Sequence, residues 1–133
     1  MRSEIAYREG VVPSVRSIVA LYAAAPLNRP ITDPDRIEQM FISSNIIYTA
    51  WDGDRLAGVL RGWTDGAFDG YICDLAIDPT YQKHGIGREL LRRVVNSNRQ
   101  VQFVLRASQI AREYYKHIGW EPIENGWFIP RES

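Results

Sequence analysis

Three apolar residues and an arginine, Ile5-Ala6-Tyr7-Arg8, read as a short first strand closed by Gly10. From Pro13-Ser14 the spacing changes. Val15, Ile18, Val19 and Tyr22 fall on one face of a helix that stops near Ala24-Ala25-Pro26, and the segment from Pro26 to Thr32 reads as a loop. A second helix opens at Asp33-Pro34, where Thr32 or Asp33 caps and Pro34 suits the first turn, with Ile37, Met40 and Phe41 as its apolar face. Ile46 to Trp51 and Leu56 to Trp63 read as strands joined by a tight turn at Asp52-Gly53-Asp54. Thr64-Asp65-Gly66 and Phe68-Asp69-Gly70 connect them to a further strand, Tyr71 to Ile77, which Asp78-Pro79 ends because proline has no N–H for a ladder. Ile86, Leu90, Leu91, Val94 and Val95 then mark a long helix that breaks at Asn96-Ser97-Asn98. Val101 to Leu105 is a buried strand, and a short helix follows. Trp120 to Ile123 and Trp127 to Ile129 read as a final hairpin around Asn125-Gly126.

This order predicts an α+β domain over residues 1–133, with a mixed, mostly antiparallel central sheet of about seven strands flanked by four helices. The strands on either side of the long helix form a parallel pair, since they are joined by a helical crossover.

Composition narrows the classes without choosing among them. With 133 residues the chain is one domain, and 45% apolar and 24% charged residues are ordinary for a globular protein. Sixteen basic residues balance sixteen acidic ones, so no nucleic acid or anionic membrane is expected as partner. No apolar run approaches the ~20 residues of a membrane span, and no signal-peptide core is visible at the N-terminus. The single cysteine, Cys73, excludes an intramolecular disulfide and suits a cytoplasmic setting, where it is expected to be an inert core thiol. No His/Cys/Asp cluster has metal-ligand spacing, so no metal is expected.

The chemistry gathers at Gln82-Lys83-His84-Gly85-Ile86-Gly87-Arg88, between the strand ending at Ile77 and the long helix. Glycines let backbone N–H groups approach a ligand, and the first turn of a helix leaves donors unpaired at the positive end of its dipole. Lys83 and Arg88 add charge, so the stretch reads as a pyrophosphate cradle. A Walker loop needs Lys-Ser/Thr after its second glycine, whereas Arg88-Glu89 follows here; the dinucleotide fingerprint needs a small residue where Leu90 stands. What remains, Gln-x-x-Gly-x-Gly, resembles the acetyl-CoA loop of the GNAT superfamily of N-acyltransferases. Ala111-Arg112-Glu113-Tyr114-Tyr115-Lys116-His117-Ile118-Gly119-Trp120 is similar to the late motif of the same family, with Gly119 ending a helix. The two motifs and the strands between them cover about residues 71–124. Asp74 to Pro79 before Tyr81-Gln82, with Trp127-Phe128-Ile129-Pro130, resembles plant and cyanobacterial serotonin N-acetyltransferase-like members.

The resemblance implies transfer of an acetyl group from acetyl-CoA to a primary amine by direct attack in a ternary complex. It implies that the parallel pair splays apart, that the backbone of Leu75, Ala76 and Ile77 pairs with the pantetheine arm, and that an N–H there binds the thioester oxygen. The cofactor-binding set is then these three residues with Gln82, Lys83, His84, Gly85, Ile86, Gly87, Arg88, Ser108 and Arg112. Ser108 departs from the asparagine often found there. His84 and His117 are expected to have surface roles. Tyr115, four residues before the motif glycine, is the candidate acid for the leaving thiolate. Asp74 is the candidate base or ammonium holder, because a carboxylate among Ile72, Cys73, Leu75 and Ile77 is costly unless functional or paired, an arginine partner or a solvated edge being the alternatives. Asp65, Asp69 and Asp74 with nearby aromatics favour a small cationic acceptor, an arylalkylamine or a polyamine. A protein N-terminus or lysine as acceptor, and a sensor module that binds acyl-CoA without turnover, stand as alternatives. The oligomeric state stays open, a homodimer included.

Overall fold

A computed structural model describes residues 4–133. Five strands form one sheet in the order β1-β2-β3-β4-β5: β1 (Ala6–Glu9), β2 (Ile46–Asp52), β3 (Arg55–Thr64), β4 (Asp69–Ile77) and β5 (Gln102–Leu105). The first four pair antiparallel, and β4 and β5 pair parallel. The β2–β3 turn is the expected one, with Gly53 at φ +60°, a left-handed conformation that favours glycine.

The four expected helices are present as α1 (Val15–Ala24), α2 (Pro34–Ile42), α3 (Ile86–Asn96) and α4 (Arg112–His117). Ser14 caps α1 by accepting from the N–H of Ser17, and Asp33 caps α2 by accepting from Arg36, with Pro34 in the first turn. α1 and α2 cover one face of the sheet: Ile18, Tyr22, Ile37 and Phe41 pack on Ile47, Leu56, Val59 and Ala76. α3 covers the other, setting Ile86, Leu90, Leu91 and Val94 against Tyr48, Leu60 and Ile72.

A bulge in β4 sets how the two faces share the strand. Arg61 pairs with Asp74 and Gly62 with Ile72, so Cys73 is the extra residue. Ile72 therefore packs on the α3 face, while Asp74 and Ala76 turn toward α1 and α2.

Among the described residues the sheet has five strands rather than about seven. Trp120 to Ile123 and Trp127 to Ile129 form no strands, and residues 121–133 are exposed. The turn signal at Asn125-Gly126 is local, but a two-stranded hairpin is marginal in water unless a sheet edge receives it, and Pro122 lacks a donor. Trp120 instead packs edge-on against Tyr115, with ring centroids 5.9 Å apart.

Candidate active site

β5 pairs with β4 only from Asp69↔Gln102 to Ile72↔Leu105, so the second half of β4 has no partner on that side. Its other side is paired to β3 as far as Ile77↔Gly58, and the N–H of Asp78 bonds to Ala57. In an antiparallel ladder bonded and non-bonded pairs alternate, so Ala76 and Asp78 turn their backbone groups to β3, and Leu75 and Ile77 turn theirs to the open side. Of the three residues expected to pair with pantetheine, Leu75 and Ile77 have free backbone groups for it. Ala76 does not: its backbone belongs to the β3 ladder and its side chain is buried among α1 and α2 residues.

The open edge leads through a 3₁₀ turn, Pro79–Tyr81, into the loop before α3. Asp78 fixes this turn by accepting from the N–H of Thr80 and from Arg55, and His84 Nδ1 lies 2.9 Å from the Tyr81 carbonyl. Lys83 at φ +72° and Gly85 at φ +75° are both left-handed, a geometry that turns successive N–H groups to one side. Gly85 is the N-cap of α3 with no side-chain cap, and among the described residues the N–H groups of Gly85, Ile86, Gly87 and Arg88 donate to no protein acceptor. A Cβ at Gly85 would meet nothing within 4 Å, and one at Gly87 would stand 3.6 Å from the Tyr114 hydroxyl and 3.8 Å from Ile77. The result is an open, donor-rich concavity at the positive end of a helix, adjoining an unpaired strand edge. Those donors fit a pyrophosphate, and that edge fits an extended amide-bearing arm.

Asp74 is not placed as a base. It is 1% exposed and lies directly across from Arg61 on β3. Arg61 Nε donates to Oδ2 at 2.7 Å, Arg29 Nε to Oδ1 at 2.7 Å, and the Tyr22 hydroxyl to Oδ2 at 2.8 Å. Burial by itself would push its carboxyl up. The hydrogen bond from Arg61 and the charges of Arg61 and Arg29 outweigh burial and hold it below the usual carboxylate range. A carboxylate so engaged has little basicity and is buried on the α1–α2 side of the sheet, so the arginine-paired alternative is the one the structure adopts. Arg29 also donates to the Cys73 carbonyl at 2.9 Å, which ties the α1–α2 loop to β4 where the strands separate.

α4 sets its two tyrosines in different surroundings. The Tyr114 hydroxyl faces Gly87, in the first turn of α3. Tyr115 packs into the core cluster that holds Leu75, Ile77, Phe103 and Leu105, around the separation of β4 and β5. Burial, and to a lesser degree the Tyr114 neighbour, push its phenol up to about 12, so it is a proton donor throughout the neutral range. Gly119 at φ +94° ends the helix as expected, with the N–H of Trp120 bonding back to the Tyr115 carbonyl at 2.9 Å. Ser108 is used in the turn before α4, where its carbonyl and hydroxyl accept from Ala111. Arg112 lines a cavity outside β5 that includes no residue of the 82–88 loop.

The expected acidic pocket for a cationic acceptor does not assemble. Asp65 folds its own turn, accepting from Ala67, Phe68 and Asp69; Asp69 accepts from Gln102 at 2.6 Å; and Asp74 is neutralised by arginines. The partners of Asp74 were readable in one respect. Arg61, like Asp74, is a charge inside an apolar strand run, and two such charges on neighbouring strands are each other's simplest solution. Tyr22 and the facing of Tyr114 left no comparable signal.

Residues 20–127 match the family described as the acetyltransferase (GNAT) domain. A 75-residue stretch is 32% identical to histone acetyltransferase TAP1 of Glycine max, covering 54% of this chain and 32% of that protein, so the chain spans about a third of that relative's length. A Staphylococcus aureus protein described as a probable acetyltransferase shares the fold with a TM-score of 0.81 at 22% identity, over 96% of this chain and 100% of the other. So does a Clostridium acetobutylicum protein described as a predicted acetyltransferase and solved with acetyl-CoA, with a TM-score of 0.73 at 17% identity over 96% of each chain. With the open β4 edge, the donor-lined entrance to α3 and a match over most of its length, the chain belongs to the GNAT acetyltransferase family.

Proposed function

We propose that this chain transfers the acetyl group of acetyl-CoA to a primary amine of a small molecule, by direct attack in a ternary complex. One observation carries the reading: the unpaired half of β4 runs straight into the unpartnered N–H groups at the start of α3. Bound acetyl-CoA supplies an activated thioester carbonyl and a thiolate leaving group. The N–H groups of Gly85 to Arg88 hold its phosphates, and the backbone of Leu75 and Ile77 holds its arm as an added strand. An N–H of that edge faces the carbonyl oxygen as charge develops.

The protons then have to be placed. Tyr115, protonated and packed beside the separating strands, donates to the thiolate, and the proton that the nitrogen sheds as the amide forms restores it. The amine must shed a proton before attack, since alkylammonium groups have pKa values near ~10. With Asp74 committed to Arg29 and Arg61, that proton passes to solvent, and kcat/KM is expected to rise with pH along the ionisation of the amine itself.

The engaged carboxylates withdraw the electrostatic reason for a polyamine, so a singly charged amine is the favoured acceptor. The test is a panel of arylalkylamines, polyamines, amino acids and a lysine peptide, assayed for thiol release from acetyl-CoA. Turnover with a small monoamine is the expected result. Turnover with the lysine peptide alone would move the acceptor to proteins, and cofactor binding without turnover on any amine would leave a sensor.

A further inference from the structure

Cys73 marks the acyl end of the cofactor path. β4 leaves β5 after Ile72, and the phosphate cradle lies beyond Ile77, so an arm laid along Ile77 and Leu75 brings its thioester to the point of parting. A guanidinium stands at that point. Arg29, in the loop between α1 and α2, donates to the Cys73 carbonyl at 2.9 Å and to Asp74 at 2.7 Å, and its side chain is 28% exposed. Tyr115 packs from the α3–α4 face of the sheet, so the acid and the guanidinium flank the parting from opposite sides.

The charge on the guanidinium's side does not balance. Asp74 carries one negative charge, Arg29 and Arg61 one positive charge each, and the Tyr22 hydroxyl that completes the cluster is neutral. Two against one leaves one positive charge over. The other groups around the parting do not cancel it. Burial pushes the Cys73 thiol and the Tyr22 and Tyr115 phenols up, so all three are uncharged at neutral pH, while the Asp74 carboxyl is held below the usual carboxylate range. α2 and the residues after it meet Arg61 through the Met40 carbonyl and the Ser44 hydroxyl, both neutral. Arg106, just past β5, turns onto Phe128 and adds charge of the same sign.

We infer that this surplus positive charge, carried to the parting by Arg29, stands in for a general base by favouring the neutral form of the bound acceptor amine over the ammonium. The inference rests on the acetyl-transfer reading above and says how the reaction proceeds without a carboxylate base. A like charge nearby disfavours the charged form of a titratable group, and a neighbouring cation is an established way to keep an amine nucleophilic. The ammonium proton still goes to solvent; the guanidinium only sets where that equilibrium lies in the complex. A bound amine that titrates about one pH unit below the free one is about tenfold richer in its neutral form at neutral pH.

Single-turnover acetyl transfer at saturating amine, followed from neutral to mildly alkaline pH, tests it, because a rate at saturation titrates with the complex and kcat/KM with the free species. The probe is phenethylamine, or the monoamine of the panel turned over fastest. In the wild type the single-turnover ionisation should lie about one pH unit below that of the free amine, while kcat/KM follows the free amine. Arg29→Gln keeps a donor for the Cys73 carbonyl and removes the charge. Its ionisation should move up toward the free amine, with the neutral-pH rate down about tenfold and the alkaline plateau kept. Arg29→Lys restores a cation and should restore the lower ionisation. Tyr22→Phe disturbs the same cluster without changing its charge and should leave the ionisation in place. A wild-type ionisation at the free-amine value overturns the inference while turnover itself stands, whether or not Arg29→Gln folds. So does an ionisation that Arg29→Gln leaves alone, or that Tyr22→Phe moves equally. No turnover of any amine overturns the acetyl-transfer reading and the inference with it.

Discussion

The two faces of the sheet are built to opposite specifications. On the α1–α2 face the core is closed, and the charge within it is paired: Asp74 meets two arginines and a tyrosine, and no buried side-chain polar atom among the described residues lacks a partner. On the α3–α4 face, toward β5, backbone donors and a strand edge stand unpaired, and the packed aromatics are only partly buried. β4 serves both. Asp74 and Ala76 anchor it to the closed side, and Leu75 and Ile77 present it to the open one. The paired charges at Asp74 fix the strand to the closed side just beyond its bulge.

Breaking the closed side should have the largest effect. Asp74→Asn leaves Arg29 and Arg61 without their counter-charge, and loss of one partner of a buried pair typically costs ~3–5 kcal/mol, measurable by urea unfolding. The sign of the pH dependence follows from the depressed carboxyl. Its stabilising contribution is present above the unfolded value of ~3.9 and is lost as pH falls from there through the lower folded value, so acid unfolding should lose this component in the variant. The pH–rate profile per folded molecule should keep its shape. A profile that lost an ionisation would return Asp74 to the mechanism.

On the open side the two tyrosines should separate. Tyr115→Phe removes the hydroxyl and keeps the ring. General acid catalysis contributes about 10²–10⁴ in rate. A thiolate is already a good leaving group, with a thiol pKa near ~8.5 against ~10 for a phenol, so turnover should fall by roughly tenfold to a hundredfold. Tyr114→Phe should leave turnover intact and weaken acetyl-CoA binding by no more than about 1 kcal/mol, since its hydroxyl faces Gly87, at the end proposed for the phosphates. If the two variants behaved alike in kcat, the assignment of ends would be wrong.

Filling the path without touching the fold should cost less than breaking the buried pair. Gly85 is a poor place to try, because at φ +75° any side chain strains the backbone whatever it does to the ligand. Gly87 is helical, and a Cβ there makes only ordinary contacts. Gly87→Val should therefore keep the melting temperature and lose about tenfold, or ~1.4 kcal/mol, in acetyl-CoA affinity by calorimetry. Undiminished affinity would take the phosphates elsewhere.

What could be read from the chain was what local chemistry dictates. Asp33-Pro34 starts a helix by capping, Gly53 turns a hairpin by its positive φ, and Gly119 ends α4 in the same way. The strand–loop–helix around Gly85 was legible because each of its parts is a local preference. The final hairpin was misread for the complementary reason: Trp127 to Ile129 has strand composition, but whether it becomes a strand depends on an edge elsewhere, and in this chain it meets none. Asp74 was singled out correctly as unusual, yet its partners come from register and from a loop 45 residues away in sequence, which no local pattern encodes. Tyr114 went unassigned because the motif's spacing points to its neighbour.

The extra residue in β4 acts like a frameshift written in three dimensions. Upstream of Cys73 the strand is read in one phase and downstream in the other, which is how Ile72 and Asp74, two positions apart, come to lie on opposite sides of the sheet. Deleting that single residue would keep both phases, since Asp74 would still stand opposite Arg61 and Ile72 opposite Gly62. What would go is the bend and added twist that a bulge gives a strand. That bend falls where the pairing of β4 with β5 stops at Ile72, so a serine or alanine in place of Cys73 keeps the point of parting, and a gap does not.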